Sequence, residues 1–103
     1  MSEEHVVGRF DDLWSGEMLS CTAGGVAVVV IRIGDDVRAY EDRCAHLGVP
    51  LSRGTLQGST LTCSAHHWQY NVRSGCGVNP ASVRLKPVPV RVLDGNILVG
   101  SAS

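Results

Sequence analysis

Two mixed pairs of metal-binding side chains restrict how this chain can fold more than any other feature: Cys44-x-His46 and, sixteen residues later, Cys63-x-x-His66. Each pair sits beside glycine or a small residue, which suits a tight loop better than a helix. If the four donors meet, the fold must bring two loops, distant in sequence, to one edge. With 103 residues the chain is expected to be one domain with a modest core, in the size range where a bound metal adds useful stability. Cys21 and Cys76 complete a set of four cysteines that could form two disulfides in a secreted domain. The opening MSEEHVVGRF is acidic, however, and has no basic segment leading into an apolar one. A reducing cytoplasm is the expected setting, and there such clusters bind metal.

The rest of the sequence reads as short strands broken by turn chemistry, an antiparallel sandwich or barrel. Strands are predicted at 5–9, 18–22, 25–33, 37–40, 60–62, 68–72, 88–93 and 97–99. Ala23–Gly25, Gly34–Asp36 and Asp94–Asn96 separate apolar runs as hairpin turns do, and Asp94-Gly95 tolerates the positive φ that a tight hairpin demands. Helix signals are weak: Asp11–Glu17 could make one turn before Gly16 ends it. Val88, Val90, Val92, Ile97 and Val99 alternate along one sheet face, while Pro87 and Pro89 remove ladder donors at its start. Segments 44–59 and 73–87 interrupt the rhythm and read as the long loops that carry function.

Composition excludes several roles. A formal net charge of −1 offers no basic surface for nucleic acid, and the longest apolar run, Val26–Ile31, is too short to span a bilayer. Residues 1–43 carry nine acidic and four basic side chains and residues 44–103 one acidic and five basic, so the Cys/His half is the basic half. There is no Gly-rich dinucleotide fingerprint, catalytic triad or spare carboxylate cluster, hence no catalytic residue to assign.

Two chemistries fit the four donors. Four-coordinate zinc accepts two thiolates and two imidazoles, although it usually draws each kind from its own element. A [2Fe–2S] centre with two thiolates on one iron and two imidazoles on the other takes one of each from each loop. The first would be a zinc-stabilised interaction module, the second a redox centre.

CAHLGVPLSRG and CSAHHWQYN resemble the two boxes of Rieske [2Fe–2S] proteins, and the likeness runs the length of the chain as a small Rieske ferredoxin. The stretch SGCGVNPASVRLKPVPVRV is similar to the corresponding region of ferredoxins serving toluene and alkene multicomponent monooxygenases. The resemblance implies an all-β, small antiparallel Rieske-type sandwich or barrel. Two cluster-binding loops, about 43–50 and 62–70, would form a smaller subdomain under a covering loop at about 75–87. It assigns one [2Fe–2S] cluster to Cys44, His46, Cys63 and His66, and chooses His66 over its neighbour His67. Leu47, Gly48, Val49, Pro50, His67, Trp68 and Pro80 would surround the cluster or dock a partner, with Arg53 nearby. The implied role is that of a monomeric, non-enzymatic carrier of single electrons. It would run from an NADH-dependent flavin and iron–sulfur ferredoxin reductase to the diiron hydroxylase of an aromatic or alkene monooxygenase, with no membrane or nucleic-acid partner. A ferredoxin for a ring-hydroxylating dioxygenase, or the small Rieske subunit of a reductase, would differ only in its partner.

Some Rieske branches carry a further cysteine in each box, joined as a disulfide; the corresponding positions here are Val49 and Ala65. Fewer hydrogen bonds then reach the sulfurs, which implies a low reduction potential. Each ligand imidazole keeps an outer nitrogen that loses its proton more readily once iron is oxidised, so the potential is expected to fall at alkaline pH. Of the remaining residues, Cys21 is expected as a small buried apolar group, His5 at the surface, Trp14 in the core or stapled on the surface, and Gly75, Cys76 and Gly77 near the covering loop.

Overall fold

The computed structural model describes residues 4–43, 50–64, 67–79 and 83–100. Among these residues ten strands make three antiparallel sheets: β1 (Glu4–Arg9), β10 (Asn96–Gly100) and β9 (Val90–Leu93); β2 (Met18–Ala23), β3 (Val26–Ile33) and β4 (Asp36–Glu41); and β5 (Thr55–Gln57), β6 (Thr60–Thr62), β7 (Gln69–Asn71) and β8 (Gly77–Asn79). Among the described residues the only helical turns are two short 3₁₀ segments, Phe10–Asp12 and Leu51–Arg53. The all-β expectation holds.

The middle sheet separates two cores. Val28, Val29, Val30 and Ile31 of β3 are all fully buried, which explains a continuous apolar run where a strand with one wet face would alternate. Val29 and Ile31 face the four-stranded sheet with Leu51, Leu61, Cys63, Tyr70, Val72 and Leu85. Val28 and Val30 face the opposite way, onto Val88, which precedes β9, and onto Ile97 and Val99 of the sheet formed by β1, β10 and β9. In β4 the same alternation sends Tyr40 to the first core and Ala39 to the second.

The hairpin expected at Asp94-Gly95 forms, with φ of 52° and 79°, the doubly positive geometry that matches strand twist. Cross-strand pairs Ile97↔Val92 and Val99↔Val90 put those side chains on the shared face read from the sequence, although Val92 stays exposed near the edge. Two expectations change. β5 and β8 lie inside segments read as irregular, and the turn after β1 is only Phe10–Asp12. Its backbone is held by Arg32, whose Nη1 donates to the Phe10 and Leu13 carbonyls at 3.0 and 2.6 Å while its guanidinium stacks 3.8 Å from the Phe10 ring. Trp14 is 72% exposed and belongs to neither core.

Tyr40 ties the first core together. Its hydroxyl donates to the Val72 carbonyl at 2.6 Å, and a Cβ on Gly75 would come within 3.1 Å of its ring. Burial pushes the Tyr40 phenol above its ordinary 10.0; burial, then the charge of Asp42, push the Cys21 thiol above its ordinary 9.0. In both, folding favours the protonated form. The stability they contribute is therefore complete below the ordinary values and is lost as pH rises from 9.0 toward the raised folded values. Urea midpoints are expected to fall from pH 9 upward. Tyr40→Phe should remove the phenol's share of that slope while costing about 1–3 kcal/mol at neutral pH, because the Val72 carbonyl loses its donor.

Candidate metal centre

One row of cross-strand pairs builds the site. Thr55↔Thr62, Thr62↔Gln69 and Gln69↔Asn79 stand side by side at one end of the four-stranded sheet. β5 starts there, β6 ends there, β7 starts there and β8 ends there. Three connections therefore enter or leave the sheet at this end: the one entering β5, the one from β6 to β7, which opens with Cys63, and the one leaving β8.

The entering segment is held at both ends. Asp42, 6% exposed, accepts hydrogen bonds from the Ser52 N–H at 2.8 Å, the Ser52 hydroxyl at 2.7 Å and the Ser20 hydroxyl at 3.2 Å. Leu51 is fully buried, and the Gly54 N–H donates to its carbonyl at 2.9 Å. Gly54 then slides past β6 with no space to spare: a Cβ there would lie 2.2 Å from the Thr62 carbonyl oxygen.

The second segment begins at Cys63, fully buried beside Leu61 and Tyr70. Its N–H donates to the Trp68 carbonyl at 2.7 Å and closes the six-residue turn. His67 adopts φ of 56°, a left-handed conformation that histidine enters more readily than most side chains, and its ring is exposed. Trp68 is half-buried and packs against the first core. It lies just before β7 rather than inside the strand predicted at 68–72.

Of the residues singled out in the sequence, Cys44, His46, Leu47, Gly48, Val49, His66 and Pro80 lie outside the described residues. Among the described ones no three His, Cys, Asp or Glu side chains gather into a metal site. Pro50 and Arg53 precede β5, Cys63 follows β6, and His67 and Trp68 precede β7, all at this end of the sheet. Cys76, with Gly75, sits in the turn joining β7 to β8, at the opposite end of those strands. Gly77 N–H to Val83 O at 2.7 Å, the Cys76↔Arg84 bridge and Leu85 N–H to Gly75 O at 2.7 Å pair residues 75–77 with 83–85. Within the expected covering loop 75–77 and 83–85 thus pair with each other, and 80–82 lie outside the described residues. His5 is half-buried, its Nε2 enclosed without a hydrogen-bond partner among the described residues. Cys21 is half-buried, its thiol 3.5 Å from the Val28 carbonyl that accepts from it.

The charge asymmetry has a plain structural use. Arg73 pairs with Asp36 at 2.8 Å, Lys86 with Glu41 at 3.1 Å and Arg91 with Glu4 at 2.6 Å, so three of the five cations of the second part meet anions of the first. These pairs are largely solvent-exposed and add little stability. Arg53 stays exposed beside the loops.

The chain belongs to the Rieske [2Fe-2S] domain family, whose pattern spans residues 3–89. It carries one Rieske-type [2Fe–2S] cluster, and the zinc alternative falls away. It is 39% identical, over 88% of its length and 75% of the relative's, to the ferredoxin component of the alkene monooxygenase system of Xanthobacter autotrophicus. It is 33% identical, over 85% and 83%, to the ferredoxin component of biphenyl 2,3-dioxygenase of Rhodococcus jostii. Its fold superimposes with a TM-score of 0.87, at 31% identity over 94% of this chain and 92% of the other, on a chain from the complex of reduced oxygenase and oxidized ferredoxin in carbazole 1,9a-dioxygenase.

The described residues fit the cluster. Cys63 supplies a thiol shielded from water directly after β6, at that end of the four-stranded sheet. Sequence reasoning missed Asp42 and Gly54. Nothing in one sequence separates Asp42 from the exposed acidic residues elsewhere in the chain, or Gly54 from an ordinary turn glycine.

Proposed function

We propose that the protein is a soluble Rieske ferredoxin that takes single electrons from an NADH-dependent flavin and iron–sulfur reductase and delivers them to the diiron hydroxylase of an aromatic or alkene monooxygenase. The observation carrying this reading is the near full-length similarity to an alkene monooxygenase ferredoxin component, joined to a fully buried Cys63 at the end of β6. Cys44 and Cys63 would hold one iron, His46 and His66 the other, and the cluster they hold takes up and releases one electron at a time. Cys63 brings a buried thiolate. Trp68 covers the turn from the core side, and His67 projects outward where a partner would land. Leu47, Val49 and Pro50, with Gly48 and Pro80, would complete a small apolar tip suited to brief contacts with two partners in turn.

Trp68→Ala is expected to slow electron delivery to the terminal oxygenase by roughly five- to tenfold, the effect of losing one aromatic contact worth about 1–1.5 kcal/mol. Stopped-flow oxidation of the reduced ferredoxin reads this directly; an unchanged rate would move the docking tip elsewhere.

Similarity to ferredoxins of biphenyl and carbazole dioxygenases favours a second reading, delivery to a ring-hydroxylating dioxygenase. The deciding experiment mixes dithionite-reduced protein, after its electron paramagnetic resonance signal is recorded, with a diiron hydroxylase and separately with a Rieske dioxygenase. Rapid oxidation by the hydroxylase alone supports the first reading, and rapid oxidation by the dioxygenase alone the second.

A further inference from the structure

Asp42 is the one buried charged side chain among the described residues. Among the described residues its carboxylate is met by neutral donors: Oδ1 accepts from the Ser52 N–H at 2.8 Å, Oδ2 from the Ser52 hydroxyl at 2.7 Å and the Ser20 hydroxyl at 3.2 Å. The Asp42 N–H is anchored in turn on the Ala27 carbonyl of β3 at 2.9 Å. Three parts of the chain thus converge on one anion: β2 through Ser20, the exit of β4 through Asp42 itself, and the 3₁₀ turn through Ser52. Between Asp42 and Ser52 lies the segment that carries Cys44 and His46. Two of the three bonds close that segment, and fully buried Leu51 prevents Ser52 from drifting.

We propose that Asp42 and Ser52 form a clamp that holds segment 43–51 ready for iron, with Asp42 a positioning residue for the cluster. The inference rests on Cys44 and His46 being ligands. The clamp has two effects. It removes conformations that an open loop would otherwise lose on metal binding, so the bound state is favoured without any contact to iron. It also fixes a negative charge two residues from Cys44, which favours the more positive, oxidised form of the bound group.

The two effects separate by mutation. Asp42→Ala opens the clamp and Ser52→Ala loosens it by removing the hydroxyl. Asp42→Asn keeps the shape and can still accept from the Ser52 N–H while losing the charge. Ser20→Ala deletes the bond from β2 and leaves both Ser52 bonds to Asp42 in place. Dithionite-reduced holo-protein is mixed with excess ferrous chelator, and the bleaching rate is followed. Release should accelerate about 10–100-fold in Asp42→Ala, the usual effect of removing a partner outside the ligands themselves, and less in Ser52→Ala. Ser20→Ala should match the parent. The reduction midpoint of Asp42→Asn should rise above the parent's, a readout that a merely structural role would leave still. Iron release at the parental rate in both Asp42→Ala and Ser52→Ala, or a parental midpoint in Asp42→Asn, overturns the proposal. Should Asp42→Ala not fold, Ser52→Ala alone decides the release rate. A parent protein that binds no cluster overturns the ligand assignment instead.

Discussion

Replacing Gly54 with alanine is expected to lower the thermal midpoint by roughly 12–24 °C, equivalent to about 3 kcal/mol in a domain of this size. The cause is space alone. Gly54 has φ of −79°, which any residue adopts, but its Cβ would lie 2.2 Å from the Thr62 carbonyl oxygen and 3.1 Å from that of Leu51. Neither atom is the tip of a flexible side chain. Thr62 is paired on one side with Thr55 and on the other with Gln69, so it cannot move without opening both ladders. Gly58 provides the contrast: it has φ of 59° and nothing within 4 Å of where an alanine methyl would stand, so Gly58→Ala meets backbone strain only, about 1–2 kcal/mol. Differential scanning of the two variants tests the argument; a Gly54→Ala protein that melts no earlier than Gly58→Ala would show that β5 can shift away from β6 freely.

Cys63→Ala should give a colourless protein that still folds. The substitution removes a single sulfur from a packed core, a stability cost of about 1 kcal/mol for the metal-free chain. For the cluster the loss is total if Cys63 is a ligand, because its iron would retain one protein thiolate. Iron and acid-labile sulfide per chain, measured with the visible spectrum, decide the matter. Parental iron content in the variant would remove Cys63 from the ligand set.

These expectations draw on different depths of the sequence. The hairpins at Gly24-Gly25, Gly34 and Asp94-Gly95 were legible because turn chemistry is local, and β3 because an apolar run of that length has few other uses in a small β protein. β5 and β8 were not legible. Each is three residues long and offers at most one core side chain, such as the half-buried Leu56, so neither shows an alternation to read. They exist because neighbours supply their hydrogen bonds. Ligand types and spacing could be read directly, since metal chemistry admits few combinations. What supports them could not: Asp42 earns its place through Ser20 and Ser52, and Gly54 through Thr62, relations visible only after folding. Cys76, whose role the sequence left open, is carried by pairing to the other end of its sheet.

Chain order gives the architecture a further consequence, during synthesis. β2 to β4 are consecutive, as are β5 to β8, so the middle sheet and the four-stranded sheet can each form as soon as their residues leave the ribosome. The remaining sheet cannot, because β1 pairs with β10, from Glu4↔Gly100 to Arg9↔Asn96. Its first strand must wait for nearly the entire chain, the kind of long-range contact that slows folding. Until then Val28 and Val30 lack their cover from Ile97 and Val99. The sheet that bears Cys63 can thus assemble while the opposite face of the central strand is still uncovered, and β10 closes that face when it arrives.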